Sequence, residues 1–218
     1  MKTIKRLALL IFLSVILSSF LFSQEPLRDP EPDKKVKAFL EESRYRWRDM
    51  NVPAIDGKLL YNIIVENSYM RALEIGTSTG HSSIWIAWAL SKTGGKLITI
   101  EIDEERYREA LENFEKAGLS EYIDARLADA HELVPRLEGP FDFVFSDADK
   151  NWYKNYFIEL DPKLKTGGCF TAHNITGRRS RYSYGQTEFL DYVKSLENYE
   201  TTVNSSGSGV SISYKISK

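Results

Sequence analysis

The chain is expected to fold as an α/β protein: a single doubly wound, mostly parallel sheet finished by a C-terminal antiparallel hairpin. Three observations predict this. Short apolar runs alternate with longer segments of helical periodicity from residue 72 to residue 196. The first of those runs leads directly into a glycine-rich turn and a helix start, Ala72-Leu-Glu-Ile-Gly-Thr-Ser-Thr-Gly-His-Ser-Ser83. The last two runs, 199–203 and 210–216, alternate with period two around 205–209, which is a hairpin pattern.

Residues 36–48 carry an amphipathic helical pattern ahead of the sheet. Residues 50–57 are expected as a loop, with Pro53 and Gly57 as breakers. Residues 58–68 place Leu59, Leu60, Ile63 and Ile64 at helical spacing. The first strand is 72–75, followed by a helix over 81–90 that carries Ile84, Trp85, Trp88 and Ala89. A second strand, 96–100, precedes a helix over 104–117. There Tyr107, Leu111, Phe114 and Ala117 share a stripe, Asp103 suits the N-cap and Gly118 the stop. Strands 122–127, 141–146 and 168–172 then alternate with helices 131–137, 152–160 and 187–196. No internal repeat is visible.

The net charge of −2 makes no electrostatic case for nucleic-acid binding. The single cysteine, Cys169, excludes an intramolecular disulfide and a multi-cysteine zinc site; in its apolar run it reads as core filling. Residues 1–23 differ from the rest. Lys2, Lys5 and Arg6 precede an apolar run over 7–22, the n-region and h-region of a secretory signal. The run falls slightly short of the ~20 residues of a full span. Cleavage after Ser23 would put Leu21 at a position that favours small residues, so an uncleaved membrane anchor is the alternative. Basic residues at the extreme N-terminus favour that end inside and the domain outside. Residues 24–34 read as a linker and residues 35–218 as the domain. The chain is therefore expected to be exported or membrane-anchored, with membrane contact through the N-terminal segment alone.

Ligands of open α/β sheets bind beyond the carboxyl ends of the strands. The polar residues at those ends are 74–83, Glu101, 129–131, 147–150, His173 and Asn174. The turn reads Gly76-x-x-x-Gly80, with Thr77 where a dinucleotide fingerprint has its second glycine, which disfavours a nicotinamide oxidoreductase. No Gly-Lys-Ser/Thr follows, so a P-loop is excluded. The turn's backbone N–H groups and the Glu101 carboxylate at the next strand tip suit a ligand with a nucleoside ribose and a charged tail. A carboxylate there can accept both ribose hydroxyls. The alternatives are a tight turn without ligand and a solvated charge at a strand end.

Three segments together carry a family resemblance: Met50-Asn-Val52, Ala72 to Ser83, and Phe141-Asp-Phe-Val-Phe-Ser-Asp-Ala-Asp-Lys-Asn-Trp-Tyr153. The chain resembles the class I S-adenosylmethionine-dependent methyltransferases, and within them the small O-methyltransferases of the catechol and caffeoyl-CoA type. His81 replaces the tyrosine usual in that family's glycine motif. The resemblance implies a Rossmann-like methyltransferase fold, S-adenosylmethionine as cofactor and a small phenolic or catechol-like hydroxyl as acceptor. It also implies a homodimer. By position, Asn51 and Val52 would cover the cofactor, and Glu74, Gly76 and Ser82 would hold its methionine end. Thr77, Gly80 and His81 belong to the same cofactor-binding turn, where His81 either meets the cofactor carboxylate or packs the helix start. Glu101 would hold the ribose, and Asp129, Ala130 and His131 fall at the adenine loop. Asp147 would lie nearest the sulfonium and the acceptor, and Lys150 stands where the family places a lysine that takes the acceptor's proton. The alternative for Lys150 is a solvated pair with Asp149.

Family members commonly bind Mg²⁺ through an Asp at the position of Asp147 and an Asp-Asn pair after the next strand. Here the pair is His173-Asn174. Three readings stand open. Asp147, His173 and Asn174 ligate a softer divalent metal ion. His173 replaces the metal as the general base. Or His173 is a strand-end histidine without chemistry. Arg178, Arg179, Arg181, Tyr182 and Tyr184 follow and suit a lid over an anionic or aromatic acceptor, or a solvated basic loop. The rival function is a membrane-tethered or exported S-adenosylmethionine-binding protein with little or no catalysis. Export conflicts with a cofactor made in the cytosol.

Overall fold

Five strands run parallel: β1 (Arg71–Ile75), β2 (Lys96–Glu101), β3 (Ile123–Leu127), β4 (Phe141–Ser146) and β5 (Leu164–His173). Strands β6 (Tyr199–Asn204) and β7 (Val210–Lys215) form an antiparallel hairpin, and β7 pairs with β5. The order is β3-β2-β1-β4-β5-β7-β6. The computed structural model that defines this sheet describes residues 31–47, 50–176 and 184–218. The chain winds outward from β1 to β3, then returns to lay β4 on the other side of β1. The switch point of the sheet therefore lies between the tips of β1 and β4, where a ligand cleft opens. The residues just beyond those two tips are Gly76 and Asp147.

Both faces are covered, which is why the parallel strands read as nearly continuous apolar runs. Ala72, Leu97, Phe143, Phe145 and Cys169 point to one face. They meet α2 (Ala54–Glu66) and α3 (His81–Thr93) through Leu60, Ile63, Ile64, Ile86 and Leu90. Behind α3 lie α1 (Glu31–Glu42) and α4 (Glu104–Ala117), packed through Val36, Phe39, Ile84, Ala87 and Phe114. Leu73, Ile75, Val144, Phe170 and Ala172 point to the opposite face. They meet α6 (Tyr153–Leu160) and α7 (Tyr184–Lys194) through Tyr153, Phe157, Leu160, Phe189 and Val193. The short α5 (Ala130–Leu133) completes that layer. Asp103 caps α4 by accepting from the Arg106 N–H, and Gly118 ends it in the left-handed conformation, as expected.

Four expectations shift. Helix α1 begins at Glu31, inside the stretch read as a linker, and Asp33 there accepts from Trp88 Nε1 at 2.7 Å and pairs with Lys92. Helix α2 begins at Ala54 and includes Gly57. Pro53 is its N-cap, since a fixed φ of −61° suits a helix start, and the first turn at Gly57 passes close against the Trp85 ring. Strand β5 begins at Leu164 rather than 168, across a register shift opposite Phe141 and Phe143. Helix α7 spans Tyr184–Lys194. The signal or anchor segment 1–23, most of the 24–34 stretch, and Arg178, Arg179, Arg181 and Tyr182 lie outside the described residues. Among the described residues no helix is long and apolar enough to cross a membrane.

Candidate active site

The glycine turn between β1 and α3 is held from beneath by a chain of side chains. The Thr77 hydroxyl stands 2.5 Å from that of Thr99, which donates at 2.6 Å to Glu74 Oε2; the Ser83 hydroxyl donates to the same oxygen. Glu74 is fully buried, and burial raises its carboxyl pKa to about 7 against the opposing effect of the surrounding hydroxyls. Glu74 therefore ties β1, β2, the turn and α3 together. Gly76 has φ +98°, and a Cβ there would come within 2.8 Å of the Asp147 carbonyl oxygen. Only glycine lets the β1 and β4 tips approach this closely.

The loop before α2 is tied to the turn. Asn51 Nδ2 donates to Thr79 Oγ1 at 2.8 Å, and Asn51 Oδ1 accepts from the His81 N–H. His81 Nδ1 bonds the Val52 carbonyl at 2.8 Å while Nε2 accepts from Trp85 Nε1 at 3.1 Å, which specifies the neutral tautomer. Its ring stacks on Trp47. Burial lowers the His81 pKa to about 4, so it carries no charge at neutral pH. Packing at the helix start is the arrangement the structure shows for this residue.

A cavity of about 600 Å³ opens at the switch point, within the usual range for small-ligand sites. On one side it is bounded by Asn51, Gly76, Ser78 and Glu101. Glu101 Oε2 accepts from the Ser78 N–H at 2.7 Å, and Oε1 accepts from the N–H groups of Ile102 and Asp103 at 3.0 and 2.9 Å. Three of about four lone-pair sites are thus engaged, which leaves room for one further donor. Asp129, Ala130 and His131 form the far wall. Asp129 caps α5 through the His131 N–H, and the His131 ring stacks on Trp152 at 3.9 Å.

The opposite side carries Asp147, Lys150, His173 and Asn174. Lys150 Nζ donates to Asp147 Oδ1. His173 Nδ1 lies 3.0 Å from Asp147 Oδ2, and its Nε2 lies 2.9 Å from Oδ2 of Asp56. Asp56 also accepts from the Ser208 N–H at 2.9 Å, in the β6–β7 turn. Burial alone would lower the His173 pKa, but the hydrogen bonds and charges of Asp147 and Asp56 outweigh it and raise it to about 9. Tyr153 donates its hydroxyl to the His173 carbonyl at 3.1 Å and supports the group from α6.

The cavity thus gathers Asn51, Gly76, Glu101, Asp129, Ala130, His131, Asp147, Lys150, His173 and Asn174. Val52, Glu74, Thr77, Gly80, His81 and Ser82 are not among the residues that line it. Lys150 pairs with Asp147, and Asp149 instead caps the following turn through the Asn151 N–H. Asp56 was not expected. Its signal was present, since it falls on the stripe of Leu60, Ile63 and Ile64, where a carboxylate is out of place unless it has a buried partner. Ser208 was missed because hairpin turns carry no mark of what they pack on.

The donor set does not fit a divalent metal. Both Asp147 oxygens and both His173 ring nitrogens already have partners within the chain. Among the described residues no group of three or more His, Cys, Asp or Glu converges as metal ligands.

A doubly wound sheet with its cleft at the switch point, a glycine turn on one side and an acidic strand tip on the next, defines an α/β protein that binds a nucleoside-like ligand. Comparison with known proteins narrows this class. The sequence model of the O-methyltransferase family matches residues 32–179. Caffeoyl-CoA O-methyltransferase 1 of Eucalyptus globulus is 30% identical over 182 residues, covering 81% of this chain and 73% of that protein. The O-methyltransferase TomG of Streptomyces achromogenes, in complex with SAM, superposes with a TM-score of 0.72 at 24% identity, over 93% of this chain and 95% of that one. The O-methyltransferase of Bacillus cereus, in complex with SAH, superposes with a TM-score of 0.69 at 21% identity, over 91% and 96% of the two chains. This chain belongs to the O-methyltransferase family.

Proposed function

We propose that the chain is an S-adenosylmethionine-dependent O-methyltransferase acting on a small phenolic or catechol-like hydroxyl. One observation carries this: a single cavity is lined both by the glycine turn with Glu101 and by Asp147, Lys150 and His173. A cofactor held on the first side presents its reactive end to the second. When bound, S-adenosylmethionine supplies a sulfonium methyl that passes to the acceptor oxygen as the carbon–sulfur bond breaks and its electron pair stays on sulfur. Glu101, with one acceptor position left, accepts a ribose hydroxyl. Asp129, Ala130 and His131 bound the adenine. On the acceptor side the Lys150 ammonium, which gives one of its three donors to Asp147, places positive charge at the reacting oxygen and stabilises it as an anion, while His173 orients Asp147. The hydroxyl proton leaves to solvent through the open cavity. A phenol, with an ordinary pKa of about 10, gives up its proton far more readily than an alkyl alcohol and so suits such a site. The Eucalyptus globulus relative is named for caffeoyl-CoA, a phenol.

Calorimetry with S-adenosylmethionine, then methyl transfer to a panel of catechols and alkyl alcohols, tests this reading. The expected result is saturable cofactor binding and one methyl added to a phenolic oxygen. Failure of the cofactor to bind ends the proposal, and methylation of alkyl alcohols alone ends its acceptor half. For residues 1–23 the reading is export or anchoring through that segment. Recovery of the intact chain, Met1 included, in the soluble cytosolic fraction overturns it.

A further inference from the structure

We propose that the row Asp56–His173–Asp147–Lys150 stands in place of a divalent cation, so that this chain transfers methyl groups without one. The inference deepens the methyltransferase reading of the same cavity and rests on it.

Three observations carry it. First, the Asp147 and His173 donors are taken. Carboxylate oxygens only accept, so a ring whose two nitrogens face two carboxylates donates from both and has no lone pair for a metal. The remaining Asp147 oxygen holds the Lys150 ammonium. Second, a cation already holds the place. The Lys150 ammonium sits on Asp147, so a divalent ion there would face a fixed positive group, whereas hard cations are held by an excess of anionic oxygen. Third, releasing the donors is costly. Turning His173 toward an ion strips Asp56 of its cation, and Asp56 is only 1% exposed. It would keep one backbone N–H, from Ser208, and become an uncompensated buried charge. The other Asp56 oxygen, Oδ1, has no hydrogen-bond partner but is no ion site. It is backed by Gly207, where a Cβ would come within 2.0 Å of it.

The row also preserves the cation's electrostatic task. Lys150 lines the cavity and gives Asp147 one of its three donors, so positive charge remains beside the reacting oxygen.

The test uses the full chain dialysed against EDTA. Mn²⁺ is titrated in, with the free ion followed by electron paramagnetic resonance, and cofactor binding is measured by calorimetry on the same samples. Methyl transfer to a catechol is run with EDTA and with Mg²⁺, Mn²⁺ or Zn²⁺. The expected result is no uptake of Mn²⁺ and the same turnover in EDTA as with any ion. Stoichiometric uptake of Mn²⁺ that disappears in Asp147→Asn overturns the proposal, as does turnover abolished by EDTA and restored by one ion. The variant His173→Asp is expected to gain Mn²⁺ uptake, because it adds an anionic oxygen beside Asp147 and Asn174. A folded His173→Asp that still takes up no ion overturns the role given to His173. The wild-type titration decides the proposal even if that variant does not fold. A sample that binds no S-adenosylmethionine refutes the methyltransferase reading, whatever Mn²⁺ does.

Discussion

Nε2 of His173 stands 2.9 Å from Oδ2 of Asp56, a residue 117 positions earlier in the chain. The contact joins the end of β5 to the first turn of α2, and the β6–β7 turn closes over it through Ser208. With Asp147 on the other ring nitrogen, the imidazole bridges the first turn of α2 and the tip of β4.

Breaking this contact destabilises the fold. Asp56→Asn removes the charge that faces the imidazolium in a buried setting, where loss of one partner costs about 3 kcal/mol. Urea unfolding at neutral pH measures it. A midpoint equal to that of the wild type would show that the pair contributes nothing.

Stability depends on pH through the same histidine. Its folded pKa, about 9, lies above the unfolded value of about 6.5. The contribution is therefore fully present below about pH 6.5 and is lost as pH rises through about 9, amounting to roughly 3 kcal/mol. Unfolding curves across that window should fall for the wild type and run flatter for His173→Asn. Parallel slopes would refute the charged histidine.

Gly76→Ala places a methyl group within 2.8 Å of the Asp147 carbonyl oxygen at a φ of +98°. A loss of about 2 kcal/mol or more in stability is expected, with cofactor binding abolished as the β1 and β4 tips are forced apart. Thermal unfolding and calorimetry read the two effects, and unchanged affinity would separate the turn from the cofactor.

Glu101→Ala removes the carboxylate that holds the Ser78, Ile102 and Asp103 N–H groups and that is proposed to accept a ribose hydroxyl. Cofactor affinity should fall about 10- to 100-fold, the usual scale for a charge-assisted hydrogen bond. Wild-type affinity in this variant would place the ribose elsewhere.

Lys150→Met keeps the length of the side chain and deletes its charge. The kcat for methyl transfer should drop about 100-fold or more while the dissociation constant for the cofactor stays the same. Equal losses in both would make Lys150 a structural residue.

Alternating apolar runs determined the order of strands and helices, because a strand buried on both faces must be apolar throughout and a surface helix only on its stripe. The turn Gly76-x-x-x-Gly80, Glu101, Asp147 and Lys150 were readable as candidates for the same reason: they lie at strand ends, where an α/β sheet puts its chemistry. That Lys150 pairs with Asp147 rather than Asp149 was not. Tertiary structure alone decided what His173 is. Its two carboxylate partners lie 26 and 117 residues away. Hydrogen bonding and charge depend on distance in space, which no spacing along the chain encodes, so the two acids that His173 touches are visible only in the fold. The same holds for Glu74 and His81, whose places beneath the turn follow from how α3 docks on the sheet, not from the motif they share.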